Sequence, residues 1–192
     1  MQTIKREFYR RDSRIVAPQL LNKILVRGSR SGRIVEVEAY AGSEDAGSHA
    51  FRGPTPRTRT MFGPPGHLYV YFTYGMHWCC NAVTEAEGLG QAVLIRALAP
   101  LSGLDTMRAA REKARRDVDL CSGPAKLCQA LGIAGEDDGS DLVLGDRDIR
   151  ICDDGTPPPN RPGQSVRIGL SKGVDHPWRW YVEGDPNVSR RS

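Results

Sequence analysis

No run of apolar residues in this 192-residue chain approaches the roughly 20 needed to cross a bilayer as a helix. A membrane-spanning role is not expected. The opening Met1-Gln2-Thr3-Ile4-Lys5-Arg6 lacks the apolar centre of a signal peptide, which makes the cytoplasm the expected compartment. Cysteines are few and odd in number, and Cys79, Cys80, Cys121, Cys128 and Cys152 contain no C-x-x-C pair. That argues against a disulfide framework and for buried thiols in a reducing compartment. The four histidines form no H-E-x-x-H, and no spacing suits structural zinc, so no metal site is expected. Repeats and a second domain are also missing. Residues 1–192 read as one domain, long enough to bury a sizeable core.

Charge is present but uneven. The net charge is only +4, yet residues 1–33 hold nine Lys/Arg against Glu7 and Asp12. Arg52, Arg57 and Arg59 stand without an acid in 51–60, and Arg108, Arg111, Lys113, Arg115 and Arg116 outnumber Glu112. Acid gathers in Glu136 to Asp154. A folded object with one basic side suits a phosphate backbone, although a single charge run is more often a solvated helix face.

The stretch Arg33-Ile34-Val35-Glu36-Val37-Glu38-Ala39-Tyr40 alternates strictly and is rich in β-branched residues, which predicts a strand. Val35, Val37 and Ala39 then face a core, while Glu36, Glu38 and Tyr40 share the other face. A solvated strand carries two glutamates cheaply. Here the charged face ends in an aromatic ring, and a polar loop with Glu44, Asp45 and His49 follows, which is how a pocket for a flat polar substrate is built.

Segments 68–74, 77–84 and 91–98 also read as strands. Tyr74-Gly75 falls between the first two, where glycine supplies a positive φ for a hairpin turn. Tyr69, Tyr71 and Thr73 alternate with Leu68, Val70 and Phe72. Tyr74 at the tip either folds back over its hairpin or protrudes to enter a base stack. Asn81 inside the next strand is either a satisfied structural amide or a ligand contact. His49 carries the same ambiguity. Arg96, within the apolar run 92–98, needs a carboxylate or a solvent-filled pocket.

Helices are expected over about 104–116, and from Ser122 as N-cap through Pro124 to Gly132 as stop. The glycine-, aspartate- and proline-rich 133–163 reads as loops around a short strand at Asp148–Cys152, with closing strands at Val166–Leu170 and Trp178–Val182. The elements add up to a mixed α/β chain.

Taken together, RIVEVEAY (33–40), SHAFRGPTPRTRTMF (48–62), PGHLYVYFTYGMHWCCN (65–81), VLIRALAPLSGLDTMR (93–108), LCSGPAKLCQALGI (120–133) and WYVEGDPNVS (180–189) resemble the alkyladenine (3-methyladenine) DNA glycosylase family. The resemblance implies a single compact α+β domain with a curved, mainly antiparallel sheet, flanking helices and a protruding β-hairpin. It implies hydrolysis of the N-glycosidic bond of alkylated or deaminated purines flipped from double-stranded DNA, by a monomer without metal or organic cofactor. Glu38 matches the catalytic glutamate, and Tyr40, His49 and Tyr71 match residues lining the flipped-base pocket. Tyr74 matches the intercalating tyrosine, Asn81 the asparagine that crowds guanine's amino group, and Arg96 a buried basic residue beside the glutamate. Two other classes fit parts of the pattern. One is a non-catalytic binder of damaged DNA with Glu38 structural; the other is a nuclease holding Mg²⁺ on Glu36, Glu38, Glu44 and Asp45.

Overall fold

The computed structural model describes residues 1–189. In chain order its elements are β1 (Gln2–Thr3), α1 (Arg6–Tyr9), α2 (Ser13–Leu20), β2 (Ile24–Arg27), β3 (Arg30–Ala41), β4 (Leu68–Thr73), β5 (His77–Thr84), β6 (Gln91–Ser102), α3 (Leu104–Ala110), α4 (Pro124–Leu131), β7 (Ile149–Asp153), β8 (Gly163–Ser165) and β9 (Arg179–Tyr181). The strands form one antiparallel sheet in the order β1-β7-β2-β3-β6-β5-β4, and β9 pairs with β3 and β8.

Alternation divides the sheet as its residues require. Val37 and Ala39 of β3, Val93 and Ile95 of β6, Cys80 and Ala82 of β5, and Leu68 and Val70 of β4 share one buried face. Residues of α2 (Val16, Ala17, Leu20) and α4 (Leu127, Cys128, Leu131) belong to the same cluster. Each such buried Val, Ile or Leu side chain contributes on the order of 1.5–3 kcal/mol. All five cysteines are buried as free thiols. The register places Glu38 opposite Leu94, Leu94 opposite Asn81, and Asn81 opposite Tyr69. Side chains facing away from the main core on four adjacent strands therefore meet one another.

The β3–β6 pairing is irregular. Ile34 pairs Leu98 and Glu36 pairs Ala97, but Val37 already pairs Ile95, so Val35 and Arg96 have no direct partner. Such bulges bend a strand and re-aim side chains, and they concentrate beside functional sites.

Four expectations need correction. The first predicted helix stops at Ala110 rather than 116; beyond it Ala114 alone offers an apolar side chain before Val118, so no stripe remains to bury. The second helix takes Gly123, not Ser122, as N-cap, with Pro124 in its first turn. Ser122 Oγ instead accepts from Lys126 Nζ at 3.4 Å. The segment 166–170 is not a strand: Arg167 turns inward and the Ile168 N–H goes to a side chain. Finally, much of the basic N-terminal run is not a free charged surface. Arg6, Lys23, Arg27 and Arg33 pair with Asp141, Asp153, Asp137 and Asp154 of the acidic stretch.

Candidate active site

Glu38 lies near the C-terminal end of β3, fully buried. Its Oε1 accepts the Ile168 N–H at 2.8 Å and lies 3.2 Å from Arg96 Nη1. Its Oε2 accepts the Tyr40 hydroxyl at 3.0 Å. A carboxylate has about four lone-pair sites, so one on Oε2 remains for a further donor such as water. Burial raises the Glu38 pKa, and Arg96, the Ile168 N–H and Tyr40 offset that only in part. The result is a more basic carboxylate than an exposed glutamate, which is what a general base requires.

Arg96 meets the demand that its burial imposes. Its Nε donates to Glu36 at 2.8 Å while Nη1 faces Glu38. Burial disfavours its charge, but the two carboxylates more than restore it.

Above this layer lies a cavity of about 330 Å³ lined by Tyr40, His49, Tyr69, Tyr71, Cys79, Asn81, Leu94 and Arg96, with Met61, Pro124, Ala125 and Ile168–Leu170 on its other sides. Glu38 itself is not in that lining but directly beneath it, in contact with Tyr40, Arg96 and Ile168, which are. The volume is at the small end of ligand pockets. Tyr69 and Tyr71 stack with centroids 5.5 Å apart, and the His49 ring meets Tyr71 edge-on at 4.6 Å. His49 is exposed at the rim, yet desolvation by the walls and the Arg57 charge lower its pKa, so it is neutral at pH 7. Tyr71 and Tyr40 have strongly raised pKa values, chiefly through burial, and stay protonated. The Cys79 thiol, pushed up to about 11 by burial, is inert as a nucleophile. Asn81 is almost fully buried and donates to the Tyr69 carbonyl at 3.2 Å, leaving its other polar positions for the cavity it lines.

Behind Tyr40 stands an ion pair that the sequence did not reveal. The Arg167 guanidinium lies 4.7 Å from the Tyr40 ring centroid and 5.1 Å from that of Trp178. It holds both oxygens of Asp45 at 2.5 and 2.7 Å, and both side chains are completely buried. Arg167 also donates to the Ala39 carbonyl. One side chain thus ties the end of β3, the loop leading to His49 and the Ile168 backbone. Alternation could have nominated Tyr69; no side-chain signal points to a main-chain N–H such as that of Ile168.

At the mouth, Tyr74 and Gly75 form the turn between β4 and β5. Both have positive φ (50° and 65°), as type I′ turns require, and Tyr74 is 81% exposed. The ring projects rather than folding back. Met76 and Phe72 beside it are exposed as well.

The nuclease arrangement does not assemble. Glu36 and Glu38 are occupied by arginines and N–H donors, Asp45 by Arg167, and Glu44 is exposed beside Arg14. Among the described residues no group of three His, Cys, Asp or Glu converges on a possible ion. Nor is any described helix long and apolar enough to span a membrane.

Comparison with known proteins agrees with this geometry. A model of the methylpurine-DNA glycosylase family matches residues 7–186. A Burkholderia lata protein is 58% identical over 187 residues, covering 97% of this chain and 90% of its own. A Methanoculleus marisnigri protein is 46% identical over 195 residues, covering 98% of this chain and all of its own. One from Streptomyces avermitilis is 45% identical over 192 residues, covering 97% and 90%. Each of the three bears the name of a candidate 3-methyladenine DNA glycosylase. With nearly its whole length inside that match, this chain belongs to the methylpurine-DNA glycosylase family.

Proposed function

We propose that the cavity receives a damaged purine extruded from double-stranded DNA, and that Glu38 activates the water that hydrolyses its N-glycosidic bond. The observation that carries this reading is a buried, basic carboxylate beneath an aromatic cavity of base size. Extruding a nucleotide costs a few kcal/mol, less at a damaged pair. Stacking on Tyr40, Tyr71 and His49 recovers on the order of 1–3 kcal/mol per base. Alkylation at N3 or N7 gives the purine a positive charge, which attracts it to electron-rich ring faces and makes it a good leaving group. The enzyme then has to deprotonate water and stabilise an oxocarbenium-like sugar, the division of labour of glycoside hydrolysis. A deaminated purine is neutral and needs a ring proton as well, so its excision is slower. Asn81 crowds the purine's C2 edge and excludes guanine's amino group, selecting by obstruction rather than attraction.

The exposed Arg52, Arg57 and Arg59, with Lys113, Arg115 and Lys126, supply the phosphate contacts, since Arg6, Arg14, Lys23, Arg27 and Arg33 are held in ion pairs. The cavity is complete within one chain, which supports action as a monomer. Among the described residues no lysine lines the cavity to form a Schiff base, which supports a hydrolase without strand cleavage. Incubating alkylated duplex with the protein in EDTA and separating the products chromatographically tests the reading. Free methylated purine and an intact abasic strand are expected. Binding without base release would leave a damaged-DNA binder.

Tyr74 works before the chemistry, by filling the vacated stack. Tyr74→Ala is expected to weaken lesion-duplex binding about tenfold and to slow excision from stably paired lesions more than from mismatched ones. Its exposure means that thermal stability changes by less than about 0.5 kcal/mol. Equal slowing in both contexts, with a larger stability loss, would place the ring in a packing role.

A further inference from the structure

Glu36 lies two residues before Glu38 on the same face of β3, fully buried, and takes no part in the chemistry described so far. Four donors converge on it. Oε1 accepts from Arg96 Nε at 2.8 Å, Arg179 Nε at 2.7 Å and Ser189 Oγ at 2.8 Å. Oε2 accepts from the Ser189 backbone N–H at 2.6 Å. Ser189 belongs to the C-terminal segment, 153 residues away in sequence. Arg179 is held in turn by Ser165 Oγ at 2.8 Å and lies 4.6 Å from the Tyr181 ring centroid. This carboxylate is therefore fixed from three sides, far more firmly than an ion pair alone requires.

The consequence falls on Arg96, whose guanidinium is divided between two carboxylates. Its Nε is committed to Glu36, and Nη1 alone faces Glu38, at the longer distance of 3.2 Å. We propose that Glu36, locked by Arg179 and by Ser189 of the C-terminal segment, is a positioning residue that withholds half of Arg96 from Glu38 and so keeps the catalytic carboxylate both aimed and basic. The proposal rests on the reading of Glu38 as the base.

Electrostatics runs the same way. Burial would raise the Glu36 carboxyl, but Arg96, Arg179 and Ser189 hold it below its ordinary value, so it stays an anion. That anion raises the pKa of Glu38, whereas Arg96 lowers it. The other groups facing Glu38 are Tyr40 on its own strand, Tyr71 on β4, the Ile168 N–H, and Arg179 across the β3–β9 pair. Without the Glu36 charge, Arg96 is free to close on Glu38 and weaken it as a base. A base must be ionised to act, so a lowered pKa extends activity to lower pH while reducing the plateau rate, as Brønsted behaviour requires.

The test is single-turnover excision of an alkylated duplex against pH, for wild type, Glu36→Gln, Ser189→Ala and Glu38→Gln, alongside duplex affinity and thermal unfolding. In Glu36→Gln the acid limb is expected to move down by about one pH unit and the plateau to fall about tenfold, with affinity unchanged within about threefold. Ser189→Ala, which removes one of the four donors, should move both in the same directions by a smaller step, about two- to threefold in rate. A folded Glu36→Gln with the wild-type limb and plateau would overturn the proposal. Should that variant not fold, the same result in Ser189→Ala would do so. A purely structural Glu36 would lower the unfolding temperature without moving the limb. If Glu38→Gln still excised the base, the reading of Glu38 itself would fall instead.

Discussion

Glu38→Gln loses at least about 1000-fold in single-turnover excision, while its affinity for a lesion-bearing duplex stays within about tenfold of wild type. The two halves of this expectation have separate causes. The amide matches the carboxylate in size and can satisfy the same neighbours, its oxygen accepting from Ile168 and Arg96 and its NH₂ donating to the Tyr40 oxygen. Arg96 keeps Glu36 as counter-charge. The cavity walls therefore stand, and binding survives. What disappears is the ability to take a proton from water and to offer a full negative charge to the developing sugar cation. In the wild type that ability is itself pH-dependent. The Glu38 pKa is raised from 4.5 by burial, so excision is lost on acidification at a higher pH than an exposed glutamate would give. A pH profile of wild-type excision and a filter-binding titration of the variant check both halves. Near-normal excision by the variant would remove Glu38 from the mechanism.

How much of this was legible beforehand depends on whether a residue's role is local. The faces of β4 and of β3 from Glu36 onward follow from a period of two, and the structure keeps them: Val37, Ala39, Leu68 and Val70 in the core, and Glu38, Tyr40, Tyr69 and Tyr71 together on the other face. At the bulge the alternation slips, and Ile34 rather than the expected Val35 joins the main core. The demand that Arg96 find a carboxylate was equally readable, because the cost of an unpaired buried arginine does not depend on the fold. The identity of its partners was not, since three register shifts set the β3–β6 pairing and such irregularities leave no mark in alternation. The basic N-terminal run misled for a related reason. Charges 110–135 residues apart in sequence met in ion pairs, and a linear charge count cannot see a partner. Segment 166–170 looked like a strand because Val166 and Ile168 are β-branched. Its conformation is decided instead by Arg167, whose long-range partner Asp45 outweighs local propensity.

Arg167 supplies the second large effect, this time on stability. Arg167→Met is expected to destabilise the protein by about 3–5 kcal/mol, because it leaves the Asp45 carboxylate completely buried without its counter-charge. For a domain of this length, about 1 kcal/mol corresponds to roughly 2–4 °C, so the melting temperature should fall by about 6–20 °C. The charge pair itself is not the source of so large a number: two charges taken from water return little net stability, and an apolar pair of similar volume is often as good. Arg167→Met with Asp45→Leu should therefore recover part of the loss. It cannot recover all of it. Asp45 also accepts the N–H groups of Ala41 and Gly47, and Arg167 serves the carbonyls of Ala39 and Gly173. Those backbone groups would be stranded, at about 1–3 kcal/mol for each one kept from water. Thermal unfolding of the two variants separates the contributions. Full recovery in the double variant would show that the hydrogen bonds to the backbone matter little. A single-variant loss below about 1 kcal/mol would show that water reaches Asp45, and that the layer behind Tyr40 is softer than its packing indicates.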